Sequence, residues 1–463
     1  MTSSGSGVTD TATIDHPDPD PNGMGVLKTN LPTIRGKSSN FDYNSQILVD
    51  DSLLEGRDGY LRPVGDISLD SQGPFEFNLP SERSSYLVLT DLAIYCKAKI
   101  VKSDGTDCAA TDKVAPVNSL GTAMWSQIDY SLNSYPQGGV SNVYTNYKSY
   151  FETVLSYSEE FATRHVSPQM WFMDDFGQFE LFETDRAAAG GVNTGFYLRH
   201  GITSKSKTFD MFSPITCDFL RSDTYLTPNQ QLSLRLHRAK DSFMLMAASN
   251  DAGYKLKILD LRLYYYRVRM KESIPTPLVD RHLFTRTEMK KYPVPNNITY
   301  FNFSISSGLI PKQIVLAQVE TVGCEGRYDK NPFRFQHFDV SRLDLEVSGK
   351  RYPANGLEPN FNVNPCLANR EYSFVLRNAG VISKDCNMLT YKAFCTDLNV
   401  YVFDLTADRC NGREAHRSNT GHVSLSMSWR NPLPQPITLL VQLAFDVGLS
   451  KKKADELYSL DYI

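Results

Sequence analysis

The chain has 463 residues, of which 41% are hydrophobic, 22% charged and 11% aromatic, and its formal net charge is −4. That length is past the point where single cores stop growing, and a weak charge spread along the chain offers no basic surface for nucleic-acid phosphates, so sequence-specific nucleic acid binding and direct genome packaging are not expected. The sequence holds no apolar run of about 18 residues and opens on Ser, Thr, Gly, Asp and Pro, which predicts no membrane span and no ordinary secretory signal.

Residues 1–60 read as an N-terminal arm. Pro17, Pro19 and Pro21 remove backbone donors and restrict their neighbours, so this stretch is expected to be disordered when isolated. From about residue 73 the pattern becomes that of strands. Phe75 and Phe77 alternate with Glu76 and Asn78, and an apolar stretch spans 86–100. A strand over 124–132 follows, in which Ile128, Tyr130 and Leu132 alternate with Asp129 and Ser131. Tyr135-Pro136 and Gly138-Gly139 then lead into a helix over 142–157, where Val143, Tyr147, Tyr150, Phe151, Val154 and Leu155 recur at helical spacing. Residues 158–195 read as a long loop, because Gly, Ala and acidic residues interrupt every pattern. Leu232, Leu234 and Leu236 mark one closing strand and residues 255–270 another. Pro275, Pro277, Pro293 and Pro295 mark a linker over 276–298.

The same pattern then returns. Leu343, Leu345 and Val347 alternate with Asp344 and Glu346, Tyr352-Pro353 and Gly356 follow, and Ala368, Tyr372, Val375, Leu376 and Ala379 repeat the helical spacing. In both copies apolar residues precede the tyrosine by seven and five positions. Val423, Leu425, Met427 and Trp429 form one closing strand, and Ile437, Leu439, Val441, Leu443, Phe445 and Val447 the other. The duplication predicts two related domains, at 61–275 and 299–447, with a C-terminal tail over 448–463. Many strands, few helices and long crossovers predict an all-β fold with a few short helices, as two tandem eight-stranded antiparallel jelly rolls. A parallel sheet would need a helix after nearly every strand.

No catalytic, cofactor-binding or metal-binding residue is predicted, and no cofactor. Asp18, Asp20 and Gly23 imitate the start of a calcium loop, but Thr29 stands where a bidentate Glu is needed. Asp174-Asp175 reads as part of a solvated loop, since adjacent side chains on an extended chain point apart. The eight histidines are dispersed, without metal-ligand spacing, and no glycine-rich phosphate loop follows a strand. Lys451, Lys452 and Lys453 read as a solvated run and Tyr264, Tyr265 and Tyr266 as core, with the flanking Arg262, Arg267 and Arg269 leaving an interface role open. The eight cysteines include no C-x-x-C pair and read as reduced thiols.

Several runs resemble one family. They are residues 118–157 with the core SQIDYSLNSYPQ, residues 234–246 with RLHRAKDSFMLM, NPFRFQHFDV at 331–340, SGKRYP at 348–353, FDLTAD at 403–408, and the ending Asp461-Tyr462. In order and spacing they are similar to the hexon-like, double jelly-roll major capsid proteins of the adomavirus, adintovirus and Polinton-type DNA viruses and their relatives in animal genomes. The resemblance implies a homotrimer that imitates a hexamer in the icosahedral shell of a double-stranded DNA virus. Neighbouring capsomers and penton or minor capsid proteins would be its partners. It implies a virion protein made in the host cytoplasm, with the nucleus a candidate place of assembly, and outward loops or trimer clasps at 158–195 and 407–420. A tandem β-sandwich spike or vertex protein that binds carbohydrate or a receptor is the rival reading, and an enzyme is third.

Overall fold

A computed structural model describes residues 53–65, 73–137, 143–188, 190–271, 279–379, 387–407, 409, 419–452 and 459–462. Residues 51–463 form one compact unit. In the first half the strands are β1 (Leu53–Leu61), β2 (Phe75–Leu79), β3 (Ser85–Lys102), β4 (Val114–Pro116), β5 (Trp125–Leu132), β6 (Tyr135–Gln137), β7 (Phe209–Pro214), β8 (Leu232–Arg238), β9 (Leu245–Ala247) and β10 (Tyr254–Met270). The second half holds β11 (Val279–Val294), β12 (Tyr300–Leu309), β13 (Gln313–Glu320), β14 (Val340–Val347), β15 (Lys350–Leu357), β16 (Val400–Asp404), β17 (Thr420–Trp429), β18 (Ile437–Lys452) and β19 (Ser459–Tyr462).

The sheet orders carry the architecture. In the first half they are β1-β10-β3-β7 and β2-β8-β5-β6, and in the second β11-β18-β13-β16 and β12-β17-β14-β15. Leaving aside the small β4-β9 pair and β19, each half has eight strands in the orders first-eighth-third-sixth and second-seventh-fourth-fifth. Two antiparallel four-stranded sheets with this crossing connectivity are a jelly roll, and the chain holds two of them. The inner faces show why these segments are strands. Phe75, Phe77, Leu234, Leu236 and Ile128 are buried from one sheet, and Leu263, Leu261 and Ile94 from its partner. β18 is buried on both faces, as Leu439, Leu440, Val441 and Leu443 are all fully covered.

The duplicated element is a hairpin in both halves. β5 and β6 pair with Leu132 opposite Tyr135, so Asn133-Ser134 form the loop, and β14 and β15 pair with Val347 opposite Lys350 around Ser348-Gly349. All four loop residues have positive φ, the type I′ signature whose twist suits a two-residue hairpin. The turns therefore precede both Tyr-Pro pairs, which lie within strands. Aligned on the turns, Tyr135 matches Lys350, so the tyrosines are offset by two residues. A shift of two preserves the side-chain face, which is why the apolar pattern matched on either alignment.

Other expectations change. The arm over 1–60 ends in structure, because 53–61 form β1 against β10. Most of the linker over 276–298 is β11, paired along its whole length with β18. Pro293 is tolerated there because β11 is an edge strand. The tail over 448–463 continues β18 to Lys452 and returns as β19, with Leu460 opposite Leu449. Cys366 and Cys395 form a disulfide with Cα atoms 6.9 Å apart, correcting the all-thiol expectation. The turn after β15 and the short helix Tyr391–Phe394 bring them together across 29 residues, a proximity no local spacing signals. Residues 1–40, Pro275, Pro277, Cys386, Cys410 and most of the loop at 407–420 lie outside the described residues.

Candidate assembly surfaces

Each half carries a helix between its fifth and sixth main strands, Thr145–Ser156 in the first and Asn369–Asn378 in the second. They differ in how they are covered. Asn369–Asn378 is amphipathic, burying Glu371, Val375 and Asn378 while Arg370, Ser373 and Arg377 are exposed. Thr145–Ser156 is buried nearly all round, even at Lys148 and Ser149, because the second half packs on its outer side. Tyr150 stacks on Phe333 with centroids 4.2 Å apart, and Tyr147 meets Phe333 edge to face. Lys148 pairs with Asp218, whose carboxylate also accepts from the Thr287 backbone N–H at 2.8 Å and its hydroxyl at 3.0 Å.

The loop at 158–195 closes the same seam. Asp174 is buried and pairs with Arg199, which is itself fully covered and donates through Nε to the Pro116 carbonyl at 2.8 Å. The second carboxylate oxygen of Asp174 accepts from Asn331 at 3.1 Å. Arg334 holds Glu180 at 2.7 Å and Asp397 at 2.8 Å, and Asp397 also accepts from the Gly177 backbone N–H. The solvated-loop reading of Asp174 is thus corrected. A buried carboxylate persists because a buried guanidinium and two amides satisfy it. Sequence reasoning missed this network, since polar contacts over long separations leave no periodicity. The one local trace was the run 331–335, whose Asn331, Phe333 and Arg334 all meet the first half.

The outer face of β1-β10-β3-β7 is the counterpart of the sheet face covered at the seam, and among the described residues it is open. Tyr264 meets Tyr60 at 5.7 Å, Phe212 at 5.6 Å and Tyr95 at 6.4 Å, and the Arg262 guanidinium lies 5.1 Å over the Tyr60 ring. Tyr60 is 52% and Phe212 46% exposed. Tyr264, Tyr265 and Tyr266 are half-buried, so the core reading holds only in part. Lys451 and Lys452 end β18.

Burial pushes the thiols of Cys96 and Cys217 up to about 12, removing them from thiolate chemistry. Among the described residues, no group of three or more His, Cys, Asp or Glu side chains is placed to hold a metal ion, and no helix is long and apolar enough to cross a membrane.

These strand orders define a double jelly-roll protein, and comparison with solved structures agrees. A chain from the Sputnik virophage aligns with a TM-score of 0.61 at 12% identity, covering 92% of each chain. The mavirus major capsid protein aligns at 0.51 with 10% identity over 97% of each, and a chain of the PBCV-1 virus capsid at 0.53 with 7% identity, over 91% of this chain and 100% of that one. An uncharacterized protein of Caenorhabditis elegans is 19% identical over 422 residues, covering 86% of this chain and 93% of its own. No protein-family model matches the chain.

Proposed function

We propose that the chain is the major capsid protein of a double-stranded DNA virus, a structural protein that works by self-assembly in the virion shell without catalysis. The observation that carries this reading is the identical strand order of the two halves, together with a fold similar over nearly the whole chain to that of the mavirus major capsid protein. The domain boundary falls between β10 and β11.

The in-chain seam suggests how copies associate. It is a heterologous contact, in which the helix side of one jelly roll meets the sheet face of the next. Repeated between chains, it would set the exposed side of Asn369–Asn378 against the open face around Tyr60 and Phe212 of a second copy. A heterologous contact closes into a ring when its rotation allows, and three chains would then present six jelly rolls. Neighbouring trimers and penton or minor proteins would meet the outer rim.

Mass photometry with negative-stain imaging tests the proposal. The expected species has three times the 52.2 kDa chain mass and a hexagonal outline. A strict monomer across concentration and salt would overturn it. The aromatic face with Arg262 also suits a sugar-binding vertex protein, so glycan binding by a monomer would favour that second reading.

A further inference from the structure

The Cys366–Cys395 disulfide lies next to the helix whose exposed side is set against a second copy above. Cys366 stands between β15 and the helix Asn369–Asn378, and Cys395 directly follows the short helix Tyr391–Phe394. Both cysteines are partly exposed. The free cysteines among the described residues, Cys96, Cys108, Cys217 and Cys324, are all buried. Of the described cysteines, this pair alone is open to exchange with a small thiol.

The segment 358–368 is anchored unequally. Its first part is held without the disulfide, because Phe361 stacks on His337 with centroids 4.3 Å apart and Asn362 donates to Asp339. Its last part is tied by the disulfide and by a few hydrogen bonds. Asn360 and Leu367 exchange backbone bonds at 2.9 and 2.8 Å, and the Tyr391 hydroxyl donates to the Cys366 carbonyl at 2.7 Å and accepts the Ala368 N–H at 3.2 Å. That part carries Val363, 40% exposed, and Leu367, which at 61% is the most exposed large apolar side chain among the described residues. An aliphatic group this open gains when a partner covers it, and gains more when the segment that carries it is already ordered.

We propose that the Cys366–Cys395 bond is a redox-sensitive tether that presents Leu367, beside the helix Asn369–Asn378, to a second copy, so that closing the bond strengthens self-association. The inference rests on the assembly reading and adds its regulation. Glutathione disulfide closes the bond in two exchanges. The thiolate of one cysteine attacks it, forming a mixed disulfide and releasing one glutathione, and the thiolate of the other cysteine displaces the second glutathione. Two electrons pass from the cysteines to glutathione disulfide, and the two cysteine protons leave on the two glutathione thiols.

Sedimentation of the full chain in oxidised and in reduced glutathione is the test, with hydrogen exchange over 358–379 followed in the same buffers. Association should be at least tenfold tighter in the oxidised buffer, and exchange over 363–368 should quicken on reduction while that of β14 does not. The double variant Cys366→Ser with Cys395→Ser should associate as weakly as the reduced chain in both buffers, and the reduced natural chain gives the same comparison without a substitution. Leu367→Ser should weaken association of the oxidised chain while keeping the disulfide. Equal association in the two buffers, a redox response retained by the double variant, or exchange unchanged on reduction would overturn the inference and leave the assembly reading standing. No association in either buffer would overturn both.

Discussion

Asn331, in the second jelly roll, donates to Asp174, in the first, at 3.1 Å, and the same carboxylate holds the fully buried Arg199 at 2.6 Å. Asp174→Ala would strand that guanidinium without its counter-charge, which costs about 3–5 kcal/mol when one partner of a buried pair is removed. Asn331→Ala removes one neutral donor and should cost about 1–3 kcal/mol. Urea denaturation of both variants checks the ranking. Equal losses would mean that the Asp174–Arg199 pair is not the stronger tie.

The Cys366–Cys395 bond closes 29 residues that include the helix Asn369–Asn378. Closing a loop of that length should stabilise the fold by roughly 3–4 kcal/mol through the unfolded chain. Cys366→Ser, or a reductant, is expected to lower the unfolding free energy by a similar amount, seen as a lower melting temperature, and a reductant should not affect the variant further. Mass spectrometry after alkylation without reduction checks the pairing directly. Quantitative labelling of Cys366 would refute it.

Alternation read from the sequence located most of the strands because burial on one sheet face is a local, period-two signal. Leu232, Leu234 and Leu236, and Leu439, Val441 and Leu443, are core residues where expected. β11 was hidden by Pro293 and by the prolines that flank it in the sequence, although an edge position makes Pro293 harmless. The hairpin turns were hidden because Asn133-Ser134 and Ser348-Gly349 look unremarkable beside Tyr-Pro. Least legible was the seam. Asp174, Arg199 and Asn331 become neighbours only after both jelly rolls have formed, and nothing in their spacing records that.

His337 gives the fold a pH dependence. Its Nδ1 accepts the Asp339 backbone N–H at 2.9 Å, and its ring stacks on Phe361 with centroids 4.3 Å apart. Burial holds its pKa below the ordinary 6.5, outweighing the opposing pull of Asp339 and Asp397. The unfolded chain therefore takes up a proton at higher pH than the folded one, so this contribution is complete above about pH 6.5 and declines as pH falls below it. His337→Gln keeps an acceptor but does not titrate. Urea midpoints from about pH 7.5 to 5 should fall faster for the natural chain than for the variant, and parallel curves would sink the idea.

The open face of the first jelly roll tests the assembly reading with the least disturbance to folding. Tyr60 and Phe212 are about half exposed and both touch Tyr264, so a polar replacement at either should change monomer stability little. If a second copy covers this face, each aromatic is a central anchor, and truncating such an anchor costs about 2 kcal/mol or more of binding, or roughly 30-fold in affinity. Tyr60→Asp and Phe212→Asp should therefore leave the circular dichroism of the folded chain at 25 °C unchanged while shifting sedimentation from trimer to monomer at micromolar concentration. Arg377→Glu, on the exposed side of Asn369–Asn378, should weaken the same association from the opposite surface. Trimers that survive all three changes would place the contact elsewhere, even if the capsid reading stood. Loss of assembly together with loss of the folded monomer would show instead that these side chains support the sheet itself.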